Sequence, residues 1–152
     1  MIIDSNLVLS DAQAVTATAA STNVIDLGAS REYVGVDGDL YFNVIVGGTG
    51  VDDSGHTGTV VISLQTHDDA SFSTGTRTVV TLETLVVEDL LAGRTLSAIL
   101  PPYMGTGAGH EEQLGGRYLR AYYTVANMTL SGSTFDAWIG THPASVKRRV
   151  VN

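Results

Sequence analysis

The stretch GRYLRAYYTVAN, residues 116–127, decides the fold class. Leu119, Ala121, Tyr123 and Val125 fall on one side of an extended chain, and Arg120, Tyr122 and Thr124 on the other. A period of two belongs to a strand, because successive side chains of a pleated backbone point to opposite faces. The spacing predicts a central strand with one face in a core. Gly115 and Gly116 break the chain before it. A second alternating run, FDAWI at 135–139, follows a loop at 127–133. It is expected to return antiparallel beside the first, as a hairpin around which the other strands pack.

Two further runs alternate as clearly. In LYFNVIV, 40–46, Leu40, Phe42, Val44 and Val46 share a face, and the turn pair Asp37 and Gly38 launches them. In TVVISLQT, 59–66, Val60, Ile62 and Leu64 point inward while Val61, Ser63 and Gln65 point outward. Residues 76–91 are ambiguous. Leu82, Leu85, Val86 and Leu90 fit one helical face, but the threonine and valine content favours a strand over 77–87, which is the reading adopted. The segment 31–35, also briefly helical in pattern, is too short for a helix. LSAIL, 96–100, is a strand ended by Pro101 and Pro102, which cannot donate to a ladder. Near the start, 7–9 and 14–18 are short extended pieces separated by 10–13, and 24–28 follows a turn at 21–23; this first quarter is expected to wrap the sheet edges. Residues 47–58 and 103–116 are rich in glycine and lack periodic apolar residues, so both are expected as exposed, mobile loops.

Eight or nine short strands with turn clusters between them, and no recurring helices of about 10–15 residues, point to an all-β fold. The expected architecture is a jelly-roll-like antiparallel β-sandwich, a single domain over 1–143, with 144–152 as a basic C-terminal tail. At 152 residues the chain suffices for a core, since folding at this size buries roughly 70% of the extended surface. The absence of cysteine excludes disulfides, thiolate metal sites and a thiol nucleophile. No basic n-region opens the chain and no apolar run approaches the ~20 residues that span a bilayer, so it reads as soluble, without a cleavable signal and without a membrane partner. The net charge of -8 argues against nucleic acid as a partner, because general binding to phosphates needs a basic footprint.

Candidate chemistry is sparse. The glycines between 105 and 109 lack the strand before and the helix N-terminus after that a phosphate loop requires, and are expected as loop. His56, His67, His110 and His142 stand singly, without the closely spaced imidazoles of a jelly-roll metal site, and are expected as solvated loop residues. The adjacent acids Asp52 and Asp53, and Glu111 and Glu112, sit in loops, and no serine or aspartate lies in a nucleophile elbow. The expectation is no enzyme, no catalytic residue, no metal and no cofactor. Tyr118, Arg120 and Tyr122, with Trp138 on the neighbouring strand of the expected hairpin, form either an outward interface anchor or a second buried face. Lys147, Arg148 and Arg149 are the only basic cluster, either a solvated tail or an arm that docks on an acidic partner.

The segments SDAQAVT (10–16), STNVIDLG (21–28), VVISLQT (60–66), LAG (91–93) and RYLRAYYTV (117–125), in that order, resemble the small capsid cement or decoration proteins of tailed bacteriophages. The resemblance implies a jelly-roll sandwich on the outer surface of a phage head, with the host cytoplasm as its place during assembly. It implies the major capsid protein as partner, homo-oligomers (dimer or trimer) at local symmetry axes, and no catalysis. The loops 47–58 and 103–116 depart from a compact version of that pattern. Two other readings stand beside it: a carbohydrate- or receptor-binding jelly-roll module on a virion, and a metal-dependent jelly-roll enzyme.

Overall fold

The computed structural model describes residues 5–28, 39–48, 51–52, 57–101 and 116–144. In chain order the strands are β1 (Val8–Ala14), β2 (Ala19–Ala20), β3 (Ile25–Asp26), β4 (Tyr41–Val46), β5 (Val51–Asp52) and β6 (Thr59–His67). They continue with β7 (Arg77–Val86), β8 (Thr95–Ile99), β9 (Tyr118–Ala126), β10 (Thr129–Leu130) and β11 (Thr134–Gly140). Two antiparallel sheets pack as a sandwich, the first ordered β1-β11-β4-β8 and the second β2-β9-β6-β7, with β3 also on β9. Along the chain the strands pass repeatedly from one sheet to the other; among the described residues only β6 and β7 are consecutive long strands paired directly. Among the described residues no helix is long and apolar enough to cross a membrane.

Alternation in the sequence becomes the core. Phe42, Val44 and Val46 of β4 meet Val60, Ile62 and Leu64 of β6 and Leu119, Ala121 and Tyr123 of β9, all with no exposed surface. Burying each large apolar side chain contributes about 1.5–3 kcal/mol relative to leaving it in water. The Tyr123 and Phe135 rings pack across the sandwich with centroids 5.1 Å apart.

The ambiguity at 76–91 has a physical origin. Arg77–Val86 is a strand and a 3-10 turn, Val87–Asp89, follows it, but Val61 and Ser63 of β6 face Thr84 and Thr81 of β7, so β7 carries one extra residue there. Such a bulge resets the two-residue period, letting Leu82 and Leu85, three apart, both enter the core. Helical spacing without a helix is the result.

The expected hairpin of 116–127 with 135–139 does not form. β9 pairs with β6, β2 and β3, whereas β11 pairs with β1 and β4 in the opposite sheet. The connection at 127–133 carries the chain across the sandwich, turning at Asn127, whose φ of 57° suits asparagine. Within it, β10 pairs with β5, so the expected loop 47–58 contains a short strand. At the start, 10–13 do not separate two strands: they lie in β1, whose pairing with β11 shifts register there. β1 is an edge of the first sheet, and β2 and β3 succeed each other along one edge of β9, as a wrapping first quarter should. Ser21 bridges the gap between them: its N–H donates to the Ala121 carbonyl and its Oγ accepts from the Ala121 N–H. Residues 31–35, Asp37 and Gly38, the glycines between 105 and 109 and most of the 103–116 loop lie outside the described residues.

Candidate functional site

The outward side of β9 alternates with its core side, so Tyr118, Arg120 and Tyr122 emerge together on the outer face of the second sheet. Cross-strand register on β6 places His67, Gln65 and Ser63 beside them in turn. Arg120 Nε donates to Gln65 Oε1 at 2.9 Å. Its guanidinium carbon lies 4.2 Å from the Phe72 ring centroid and 5.0 Å from that of Tyr122. The cation is held between two aromatic faces, an attraction worth about 0.5–2 kcal/mol. Burial pulls its pKa below the usual arginine range, while the neighbouring Tyr122 acts the other way. Among the described residues Arg120 has no carboxylate partner.

Phe72 reaches this position through local geometry. Its backbone has φ 51°, unusual for a bulky residue. His67 organises the same turn: Nδ1 accepts from the Asp69 N–H at 2.8 Å, Nε2 lies against the Thr74 carbonyl, and the ring packs on Phe72 with centroids 5.6 Å apart. His67 is therefore a built part of the turn, contrary to its expectation as a solvated loop residue. Ser71 N–H donates to Asp69, holding that carboxyl below its usual range. Nothing in the sequence singled out Phe72, since one aromatic in a polar connection has no periodicity to reveal it.

Below Tyr118, Arg117 forms a two-pronged pair with Asp26, Nε to Oδ1 and Nη2 to Oδ2, each 2.7 Å. Arg117 holds the Asp26 carboxyl down to about 2, with help from the Gly28 N–H. Its Cζ also lies 5.0 Å from the Tyr118 ring centroid. The outer face thus carries one neutralised arginine and one without a carboxylate partner among the described residues, each against a tyrosine.

Trp138 is not part of this surface. It sits in the opposite sheet, paired with Val8 and Asn43, and is 3% exposed. Of the two readings of this ring, burial is the one found. Lys147, Arg148 and Arg149 lie outside the described residues, as do His56, His110, Glu111 and Glu112. His142 bonds with Thr141 Oγ1 at 3.0 Å. Among the described residues no three His, Asp or Glu side chains gather as a metal would require.

A family model named Bbp16 matches residues 9–139, most of the chain. The chain belongs to the Bbp16 family. Bbp16 is a phage-related family, which makes the protein phage-associated. No curated protein matches it. The Bbp16 match spans β1 to β11, so both sheets and the Tyr118, Arg120 and Tyr122 face fall within the family's extent.

Proposed function

We propose that this protein is a phage capsid cement, or decoration, protein that binds the outer surface of the head and stabilises contacts between major capsid proteins. Membership of a phage-related family supports the setting. The strand order, β1-β11-β4-β8 against β2-β9-β6-β7, supports the jelly-roll form of the sandwich. The observation that carries the contact role is Arg120: a preorganised cation between Phe72 and Tyr122, with no carboxylate among the described residues. Arginine and tyrosine are the residue types that most often anchor interfaces, and a guanidinium fixed by stacking and by Gln65 loses little entropy on meeting an acceptor. Cementing then works by mass action, because a copy that binds assembled shell better than free subunits favours the assembled state. The proposed site of action is the virion exterior, as a dimer or trimer at local symmetry axes, after assembly in the host cytoplasm. Catalysis is no part of this role.

The test is binding of purified protein to expanded, undecorated phage heads. Saturable binding in symmetry-matched numbers, weakened about tenfold or more by Arg120→Ala, is the expected result. Absence of binding to any head overturns it. The Tyr118 and Tyr122 rings also suit stacking on a sugar, which keeps a glycan-binding module as the second reading. Glycan-array binding that depends on those tyrosines, without head binding, selects that alternative.

A further inference from the structure

Arg117 and Arg120 both stand against tyrosines, and among the described residues only Arg117 has its anion. Arg117 grips Asp26 through Nε and Nη2, each 2.7 Å from a carboxylate oxygen, with its Cζ 5.0 Å from the Tyr118 ring centroid. Arg120 repeats the ring contact, 5.0 Å from Tyr122, and adds Phe72 at 4.2 Å. Where Arg117 meets a carboxylate, Arg120 Nε meets a neutral acceptor, Gln65 Oε1, at 2.9 Å. Gln65 takes only the Nε donor, and among the described residues the Nη donors have no acceptor. Arg120 and Tyr122 are half-buried, so the cation is partly stripped of water yet reachable from outside.

The acids nearest to Arg120 in the turn after β6 are committed elsewhere. Asp69 accepts from the Ser71 N–H at 2.7 Å, and Asp68 pairs with Arg77 at 3.5 Å. The turn that brings Phe72 over the cation thus carries two carboxylates and gives neither to it. The missing complement is a single anion with two acceptor oxygens in one plane, able to take both Nη groups at once, on a stem narrow enough to stand beside the Tyr122 ring. A carboxylate has that form, and its two-pronged bond to a planar guanidinium is among the strong charge-assisted hydrogen bonds. A polyanion does not suit the place, because Asp68 and Asp69 are exposed nearby and the chain's net charge is -8.

We infer that Arg120 is the receptor for one carboxylate, an aspartate or glutamate side chain on the outer surface of the major capsid protein. This rests on the capsid role proposed above and names the group that the role requires of the partner. Phe72, Tyr122 and Gln65 hold the guanidinium in place before contact, so the arriving acid meets a fixed fork, and the pair completes on Arg120 what Asp26 completes on Arg117.

The test uses expanded, undecorated heads before and after their surface carboxylates are converted to amides with a carbodiimide and glycinamide. On untreated heads the unaltered protein is expected to bind about tenfold more tightly than Arg120→Ala, and on amidated heads about equally. A tenfold ratio that survives amidation assigns the partner group to a carbonyl or a phosphate and overturns the inference. Equal binding on untreated heads also overturns it and leaves the capsid role standing, whereas no binding of the unaltered protein removes both. If amidated heads hold neither protein, carbodiimide crosslinking of the Arg120→Lys variant on untreated heads decides, since the only lysine of the unaltered chain is Lys147. An amide link from position 120 to an aspartate or glutamate of the shell protein is expected. No link, or links only to acids of this chain or of a neighbouring copy, overturns the inference.

Discussion

The Tyr123 hydroxyl donates to Ser10 Oγ at 2.8 Å, a buried hydrogen bond joining β9 of one sheet to β1 of the other. Ser10 Oγ in turn donates to Gln13 Oε1 at 2.7 Å, and Gln13 Nε2 donates to the Ala20 carbonyl at 2.8 Å. A polar chain thus crosses the interior between the sheets and fastens the N-terminal edge segments to it. Buried polar groups cost stability unless paired, and here each is paired.

Tyr123→Phe keeps the ring but breaks this chain. A loss of about 1 kcal/mol is expected, read by urea denaturation as a lower midpoint with an unchanged slope. Burial pushes the Tyr123 phenol up to about 12 from 10.0. Its ionisation therefore opposes folding: the stabilisation is complete below pH 10 and is lost as pH rises towards 12. Phenolate absorbance from this residue is expected to appear together with loss of the far-ultraviolet strand signal, and earlier ionisation of Tyr123 in the folded protein would contradict it.

Asp26 behaves in the opposite sense. Its carboxyl is held at about 2 against 3.8 in the unfolded chain, so the Arg117 pair contributes fully above pH 4 and fades as pH falls towards 2. Both side chains are substantially exposed, 37% and 44%, so the effect is small and salt-sensitive. Asp26→Asn is expected to flatten the acid limb of the stability profile between about pH 4 and 2, and thermal melts across that range are the measurement.

The bulge in β7 makes a sharper test of register. Leu85 is fully buried while Val86, its neighbour, is 37% exposed. Leu85→Ala is expected to cost about 2–5 kcal/mol and Val86→Ala no more than about 0.5. Equal costs in denaturant unfolding would show that the face assignment is wrong.

Gly116 opens β9 where nothing larger fits. A Cβ there would overlap the His67 backbone, and the Gly116 N–H donates to the buried Thr66 Oγ1 at 2.7 Å. Gly116→Ala is expected to destabilise by about 1–3 kcal/mol, seen in the same unfolding assay, with weakened protection of the Gly116 amide in hydrogen exchange.

Strand identity was legible wherever one face is buried and the other is not, because that environment writes a two-residue period into the residues themselves. The alternating faces of 116–127, 40–46 and 59–66 were readable on that basis, and so was the set of Tyr118, Arg120 and Tyr122 as one group on the face opposite Leu119, but not whether that face is outward or covered. Partner choice was not legible. Alternation says which side of a strand meets the core, but not which strand lies alongside, and so β11 was misplaced next to β9. The Phe72 ring on Arg120 and the Asp26 carboxylate on Arg117 were hidden for the same reason, the latter two lying 91 residues apart in sequence.

The sequence by itself determined an all-β chain, its core-facing side chains and its acidic, cysteine-free character, since each follows from local period or composition. Only the tertiary structure decided that the strands divide between two sheets, that Trp138 is buried away from the tyrosines, and that Arg120 stands between Phe72 and Tyr122. Those outcomes depend on hydrogen-bond pairing and packing between segments far apart along the chain, where a bulge or a crossing loop changes the neighbour without changing the pattern.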